Sequence, residues 1–179
     1  MPVGAARVLD EYLVAAARTG DPKAFAMLAE RWHGKLLAHA WRLTGDREAA
    51  RDAAQAGWLE IVRGLPGLQD QRAFAAWAYR IVSRRCARQI GEALRHRQIG
   101  EALAREPEAS AAAPADDHAR LRAAIAALPP DHGSAVALFY LEEMSVAEVA
   151  VALNVPAGTV KTRLMHARRK LRAALEGDE

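Results

Sequence analysis

The amino-acid sequence predicts an all-α fold, two small helical domains joined by a flexible linker, and three observations lead there. Hydrophobic residues make up 51% of the 179 positions, and alanine and leucine, both helix formers, dominate them while Val-Ile-Thr-Tyr alternation is scarce. Bulky apolar residues recur at spacings of three and four, the period of an amphipathic helix. One stretch, Glu106–His118, reads EPEASAAAPADDH. Prolines, alanines and acids without a bulky apolar residue have nothing to bury, which marks a linker.

The elements follow in order. A first helix is expected over about Asp10–Ala17, ending near Thr19-Gly20. Asp21-Pro22 opens the second, with an acid at the cap and proline in the first turn. It carries Phe25, Leu28, Trp32, Leu36 and Leu37 and stops before Thr44-Gly45. The third starts at Asp46, places Ala50, Ala54, Trp58 and Ile61 on one face, and ends at Gly64-Leu65-Pro66-Gly67, a strong loop signal. A fourth, from about Gln71, buries Phe74, Trp77, Ala78 and Ile81, with Tyr79 and Ser83 projecting the other way. Beyond the linker, Leu121, Ile125 and Leu128 mark a short helix stopped by Pro129-Pro130, and another spans about Asp131–Glu142. The domain boundaries read 1–100, a linker over 101–118, and 119–179.

The most informative stretch comes next. Ser145 followed three residues later by Glu148 is a capping box, each side chain meeting the other residue's backbone amide. Asn154 suits the left-handed turn conformation and Pro156 the first turn of a new helix. Two helices joined so tightly form a helix-turn-helix. In the second of them Val160, Leu164, Ala167, Leu171 and Leu175 share a narrow arc and form the buried stripe. The opposite face holds Gly158, Thr162, Met165 and Arg169, flanked by Thr159, Lys161, His166 and Arg172. No acid occurs from Ala157 to Arg172. A cationic face of this width repels itself unless it meets anions, which points to DNA; the helix's N-terminal half would read base edges and later arginines would lie along phosphates.

Net charge is only +3 and the sequence pI is about 9.3, so distribution matters more than total. Arginines crowd into Arg80–Arg97 and Lys161–Arg172 and acids near Glu106–Asp117. Such a patch is either a solvated helix face or a contact for a polyanion, where neutralised phosphates release counterions. The single cysteine, Cys86, permits no intrachain disulfide and fits a reducing cytosol. The longest apolar run, Ala135–Leu141, is too short to span a bilayer, and Met1–Asp10 lacks the pattern of a signal peptide. Cytoplasmic localisation without membrane insertion is expected. No Gly-rich phosphate loop, metal-spaced Cys/His cluster or paired nucleophile and base is present, so neither an enzyme nor a cofactor or metal site is expected. Asp116-Asp117-His118 lies in the linker without further ligands, and His33 and His39 read as surface or boundary histidines.

With Pro156-Ala157-Gly158-Thr159-Val160-Lys161-Thr162-Arg163-Leu164, then His166-Ala167-Arg168 and Leu171-Arg172, the chain resembles the extracytoplasmic-function sigma factors. Ala127-Leu128-Pro129-Pro130 and Leu141-Glu142-Glu143-Met144-Ser145 look like that family's upstream helices, and Gly20-Asp21-Pro22-Lys23-Ala24-Phe25 like its opening ones. Gly45-Asp46 with Ala50, Asp52 and Gln55 resembles the segment that docks on the polymerase clamp, and Phe74, Trp77 and Tyr79-Arg80-Ile81 the helix that engages the minus-ten element. The resemblance covers nearly the whole chain, in the family's order.

It implies an initiation factor that binds core RNA polymerase at its clamp and flap regions, recognises promoter DNA, and is held by an anti-sigma factor. Contacts to the minus-thirty-five element are implied for Thr159, Lys161, Thr162, Arg163, Met165, His166, Arg168 and Arg169. Of these, Lys161, Thr162, Met165 and His166 are the expected base-edge readers; the others hold phosphate or support the helix. Minus-ten contacts fall on Tyr79, Arg80, Ser83, Arg84, Arg85 and Arg88, and polymerase contacts on Asp52, Gln55, Ala56 and Glu60. Trp77 shares the phase of Phe74 and Ile81, which favours core packing over base stacking. The chain departs from the family at Ala56, where an acid is usual, at Arg84 and Arg88, where shorter polar residues are common, at His166, usually arginine, and at Gly133. These departures leave a sigma-like decoy for an anti-sigma factor as an alternative, and a plain helix-turn-helix regulator as another.

Overall fold

The computed structural model describes residues 3–99, 123–125 and 127–176, with side chains for 6–95, 123–125 and 127–174. The expected linker over 101–118, with Asp116-Asp117-His118, lies outside the described residues, as do Leu121 and the side chains of Arg97 and Leu175. The described residues are helical, without a strand among them. They fall into two compact units, one built on the residues up to Ile90 together with Val151–Asn154, the other on the remaining described residues from Gly91 on.

In the N-terminal unit, α1 (Val3–Arg18) starts earlier than its apolar phase suggests. It stops where Gly20 takes φ +93° and the Asp21 amide donates back to the Ala16 carbonyl at 3.2 Å, satisfying an end carbonyl. Helix α2 (Pro22–Thr44) opens as expected: the Asp21 carboxylate accepts from the amides of Lys23 at 2.8 Å and Ala24 at 3.2 Å. Gly45, left-handed at φ 66°, ends it. Asp46 caps α3 (Arg47–Gly64) through the Ala49 amide at 2.8 Å. A short 3-10 turn over Gln71–Ala73 leads into α4 (Phe74–Ile99).

The inner face of α3 consists of Ala50, Ala53, Ala54, Gly57 and Ile61. Small residues let helices approach closely, and α3 meets α4 tightly at Gly57. A β-carbon there would sit 2.9 Å from Val82 Cγ2 of α4. At Gly64 it would sit 2.8 Å from the Trp77 ring. Trp77, half-buried and 6.2 Å from the Phe74 ring, packs over that glycine.

The centre of the unit is aromatic. Trp32 meets Phe74 edge-on at 5.1 Å and Tyr79 at 5.7 Å, and Tyr79 meets His39 at 5.0 Å. Two expectations are corrected here. Tyr79, 1% exposed, and Ser83, 8% exposed, do not project away from the core. The neighbouring helices cover a wider arc of α4 than the Phe74–Ile81 stripe, so Tyr79, Val82 and Ser83 are buried as well. His39 is no boundary residue either: it is wholly buried, with Nε2 2.8 Å from Ser83 Oγ. Cys86 is also interior, 4.0 Å from the Ala40 carbonyl, and burial pushes its thiol up to about 12, far from a reactive thiolate.

In the C-terminal unit α5 (Pro130–Val136) passes into a π turn over Ala137–Leu141. The expected uniform helix to Glu142 is thereby modified: the Glu142 amide reaches back five residues to the Ala137 carbonyl at 3.1 Å, and Glu143 ends the segment at φ 52°. Helices α6 (Val146–Leu153) and α7 (Ala157–Glu176) follow. Leu138, Met144, Val149, Ala152, Val160, Leu164 and Ala167 are buried.

Candidate nucleic-acid interface

The helix-turn-helix assembles from local bonds. The Ser145 amide donates to Glu148 Oε2 at 2.8 Å, and the Glu148 amide donates to Ser145 Oγ at 3.2 Å: the capping box is formed in both directions. At the far end of α6, Asn154 takes φ 54° and the Val155 amide donates to the Ala150 carbonyl at 3.0 Å. That six-to-one bond with a left-handed residue before it is a Schellman stop. Pro156 stands just outside α7, its carbonyl accepting from Thr159 at 2.9 Å and Val160 at 3.2 Å.

Phasing of α7 agrees with the spacing. Val160, Leu164 and Ala167 are buried and Leu171 is half-buried, while Gly158, Lys161, Thr162, Met165, Arg168, Arg169 and Arg172 are exposed. Met165 is 53% exposed, an apolar side chain held out among cations. A group of that kind suits a thymine methyl in the major groove. Thr162 donates its hydroxyl to the Gly158 carbonyl at 3.0 Å, so outward it offers its methyl and lone pairs.

The cations of α7 divide by what they already touch. Arg163 is the least exposed of them, 19% at its side chain, and donates Nη2 to Asp131 Oδ2 of α5 at 2.6 Å. It ties α7 to α5. Arg168 Nε lies 3.4 Å from the Leu164 carbonyl, and Arg169 Nη2 lies 3.4 Å from His166 Nδ1. Thr159 and His166 are half-buried. Behind His166 stands His132, ring centroids 6.2 Å apart. Desolvation first, then the charges of Lys170, Arg163 and His166, hold His132 below the usual imidazole range, against the opposing pull of Asp131.

The N-terminal unit carries its own cationic face on α4. Arg80, Arg84 and Arg88 are exposed and recur every four residues, so they line one side of the helix, and Arg95 is exposed further along. Arg84 and Arg85 are joined to Glu60 of α3: Oε1 accepts from Arg84 Nη2, and Oε2 accepts from Arg85 Nη2 at 2.8 Å and Nε at 3.1 Å. On α3, Asp52 and Gln55 are exposed and Ala56 is half-buried. Glu60 therefore differs from the other expected polymerase contacts, since both its oxygens are engaged within the unit.

Comparison with known proteins matches both parts of the chain to one family. Residues 28–96 match sigma-70 region 2 and residues 118–171 match sigma-70 region 4. The chain is 31% identical over 162 residues to the ECF RNA polymerase sigma factor SigM of Mycobacterium tuberculosis, spanning 90% of this chain and 82% of that one. It belongs to the extracytoplasmic-function sigma factors. This sigma factor is also 26% identical over 172 residues to SigW of Bacillus subtilis, covering 88% of its own length and 92% of SigW. Among solved structures, the sigma factor RpoE in complex with the anti-sigma factor NepR from Bartonella quintana has the same fold. The likeness has a TM-score of 0.71 at 22% identity and covers 88% of this chain and 99% of that one.

Within the sigma factor, two residues that organise the faces escaped the sequence reading. Gly57 was legible in principle, since it continues the small-residue stripe Ala50-Ala53-Ala54 at helical spacing. Asp131 was not, because its partner Arg163 lies 32 residues on and only folding joins them. Among the described residues no group of three His, Cys, Asp or Glu side chains is placed to hold a metal, and no helix is long and apolar enough to cross a membrane.

Proposed function

We infer that this sigma factor directs core RNA polymerase to specific promoters for transcription initiation. The observation that carries the reading is the presence, in one chain and in this order, of sequences matching sigma-70 regions 2 and 4. A polymerase-docking and minus-ten domain over 1–100, a linker over 101–118 and a minus-thirty-five domain over 119–179 make up the working arrangement. The α7 face supports the second DNA contact: exposed Lys161, Thr162 and Met165 with half-buried His166 read base edges, and Arg168 and Arg169 lie along phosphates. Arg80, Arg84, Arg85 and Arg88 hold the displaced strand near the minus-ten element. Asp52 and Gln55, both exposed on α3, engage the clamp. The factor does no chemistry of its own, works in the cytoplasm with polymerase, and is restrained by an anti-sigma partner of the kind seen with the Bartonella protein.

Run-off transcription by bacterial core polymerase on a pool of upstream genomic fragments, with and without the protein, tests the reading. Initiation at fragments sharing two spaced motifs is the expected result. A folded protein that binds DNA or an anti-sigma protein yet supports no initiation would overturn it in favour of a decoy.

A further inference from the structure

Glu60 of α3 is engaged by two arginines of α4. Its carboxylate lies between two arginines that are neighbours on α4, one oxygen for Arg84 and the other for Arg85, the latter gripped through both Nη2 and Nε at 2.8 and 3.1 Å. The contact exists because α3 and α4 run close: at Gly57, three residues before Glu60, there is no room for a β-carbon against Val82. None of the three groups is sealed in. The side chains of Arg84, Arg85 and Glu60 are 52%, 36% and 30% exposed. Arg80, one turn earlier on the same exposed side, is not part of this cluster.

We infer that the Glu60 carboxylate is an internal stand-in for a backbone phosphate, which a nucleic-acid strand displaces to engage the same guanidinium edges of Arg84 and Arg85. This rests on the reading of those arginines as strand contacts. Carboxylate and phosphate oxygens both accept the guanidinium fork in charge-assisted hydrogen bonds, so one can replace the other without moving the arginine. Until that exchange, two cations and one anion present a net single charge. The pair then neutralises one phosphate fewer than two free arginines would. Because α3 is the helix that also carries Asp52 and Gln55, the displaced Glu60 swings on the element expected to contact polymerase. Glu60 thus sets how readily the α4 face takes a strand, in place of the direct polymerase contact expected of it.

The test uses the full chain and a fluorescent oligo-dT strand, with binding measured over a potassium chloride series. Glu60→Gln keeps an acceptor oxygen and removes the charge. It is expected to bind roughly fivefold tighter at low salt, with a slope of log K against log salt steeper by about 0.7, one extra phosphate on a single strand. Adding Arg84→Gln and Arg85→Gln to it should cancel the gain. Unchanged or weaker binding by a Glu60→Gln protein of unaltered helix content overturns the inference. In the unmutated chain, the Arg85 Nε–H resonance must shift on titration with the strand, and a resonance that stays put overturns it equally. Run-off transcription with the same variants judges the promoter reading separately. A Glu60→Gln gain on oligo-dT without any change in promoter opening upholds the exchange while removing Arg84 and Arg85 from the minus-ten role.

Discussion

His39 on α2 and Ser83 on α4 share a 2.8 Å hydrogen bond inside the N-terminal unit. Both are buried, and His39 Nδ1 makes no hydrogen bond to the described residues. Ser83→Ala leaves the imidazole with neither nitrogen satisfied and should cost about 1–3 kcal/mol, read as a lower urea midpoint. His39→Leu combined with Ser83→Ala removes both partners, and should be less destabilising than Ser83→Ala and His39→Leu added together. A strictly additive cycle would count against the pair.

The same histidine makes stability depend on pH. Burial first, and the nearby Arg42 charge second, lower its pKa from 6.5 to about 3. The folded pKa lies below the unfolded one, so between them the unfolded chain takes up the proton and is favoured. The protein should keep full stability above pH 6.5 and lose it as pH falls toward 3. Between pH 7 and pH 5 the loss from this group is about 2 kcal/mol. Urea titrations at the two values, on the parent and on His39→Leu, check it; an equal loss in the variant would assign the effect elsewhere.

Two glycines should respond in opposite ways to alanine. Gly57→Ala drives a β-carbon to 2.9 Å from Cγ2 of the fully buried Val82, and should cost about 1–3 kcal/mol. Gly133, on α5, has its nearest neighbours at 3.9 Å, ordinary contact. Gly133→Ala there should stabilise by about 0.5–1 kcal/mol through helix propensity. Melting temperatures of the two variants, shifting in opposite directions, are the expected outcome.

Arg163 and Arg169 should part company on DNA. Arg169→Ala should weaken binding to all promoters alike and lower the salt slope by about one, as loss of a phosphate contact does. Lys161→Ala should instead change promoter preference, by about 1–3 kcal/mol at the base pair it reads. Arg163→Gln and Asp131→Asn should each lower the stability of the C-terminal unit and be non-additive together, because they remove one 2.6 Å ion pair. Competition binding across promoter variants, with thermal melts alongside, separates the three effects.

Legibility in the sequence followed the range of the interaction. Asp21, Gly45, Asp46, Ser145 with Glu148, and Asn154 announced helix ends because caps act within a few residues, and each acts as written. The outward face of α7 was readable for the same reason: a strong 3.6-residue period and an absence of acids are properties of one segment. Tyr79 and Ser83 were misread because an amphipathic arc is judged on one helix, whereas burial depends on how many neighbours surround it. The π turn over Ala137–Leu141 had no local signal either.

By itself, then, the sequence determined the helical class, the caps, the helix-turn-helix and which side of its second helix is free of acids, all of which local backbone chemistry and periodicity dictate. Tertiary structure decided which polar groups are spoken for. It buried His39 against Ser83, gave Arg163 to Asp131 and placed Glu60 between Arg84 and Arg85. Those pairs join residues 24 to 44 positions apart, and a charge or a ring nitrogen has no spacing rule that foretells its partner across helices. Only the close approach of packed helices brings them within a hydrogen bond, as the small Gly57 of α3 does for Glu60 and α4.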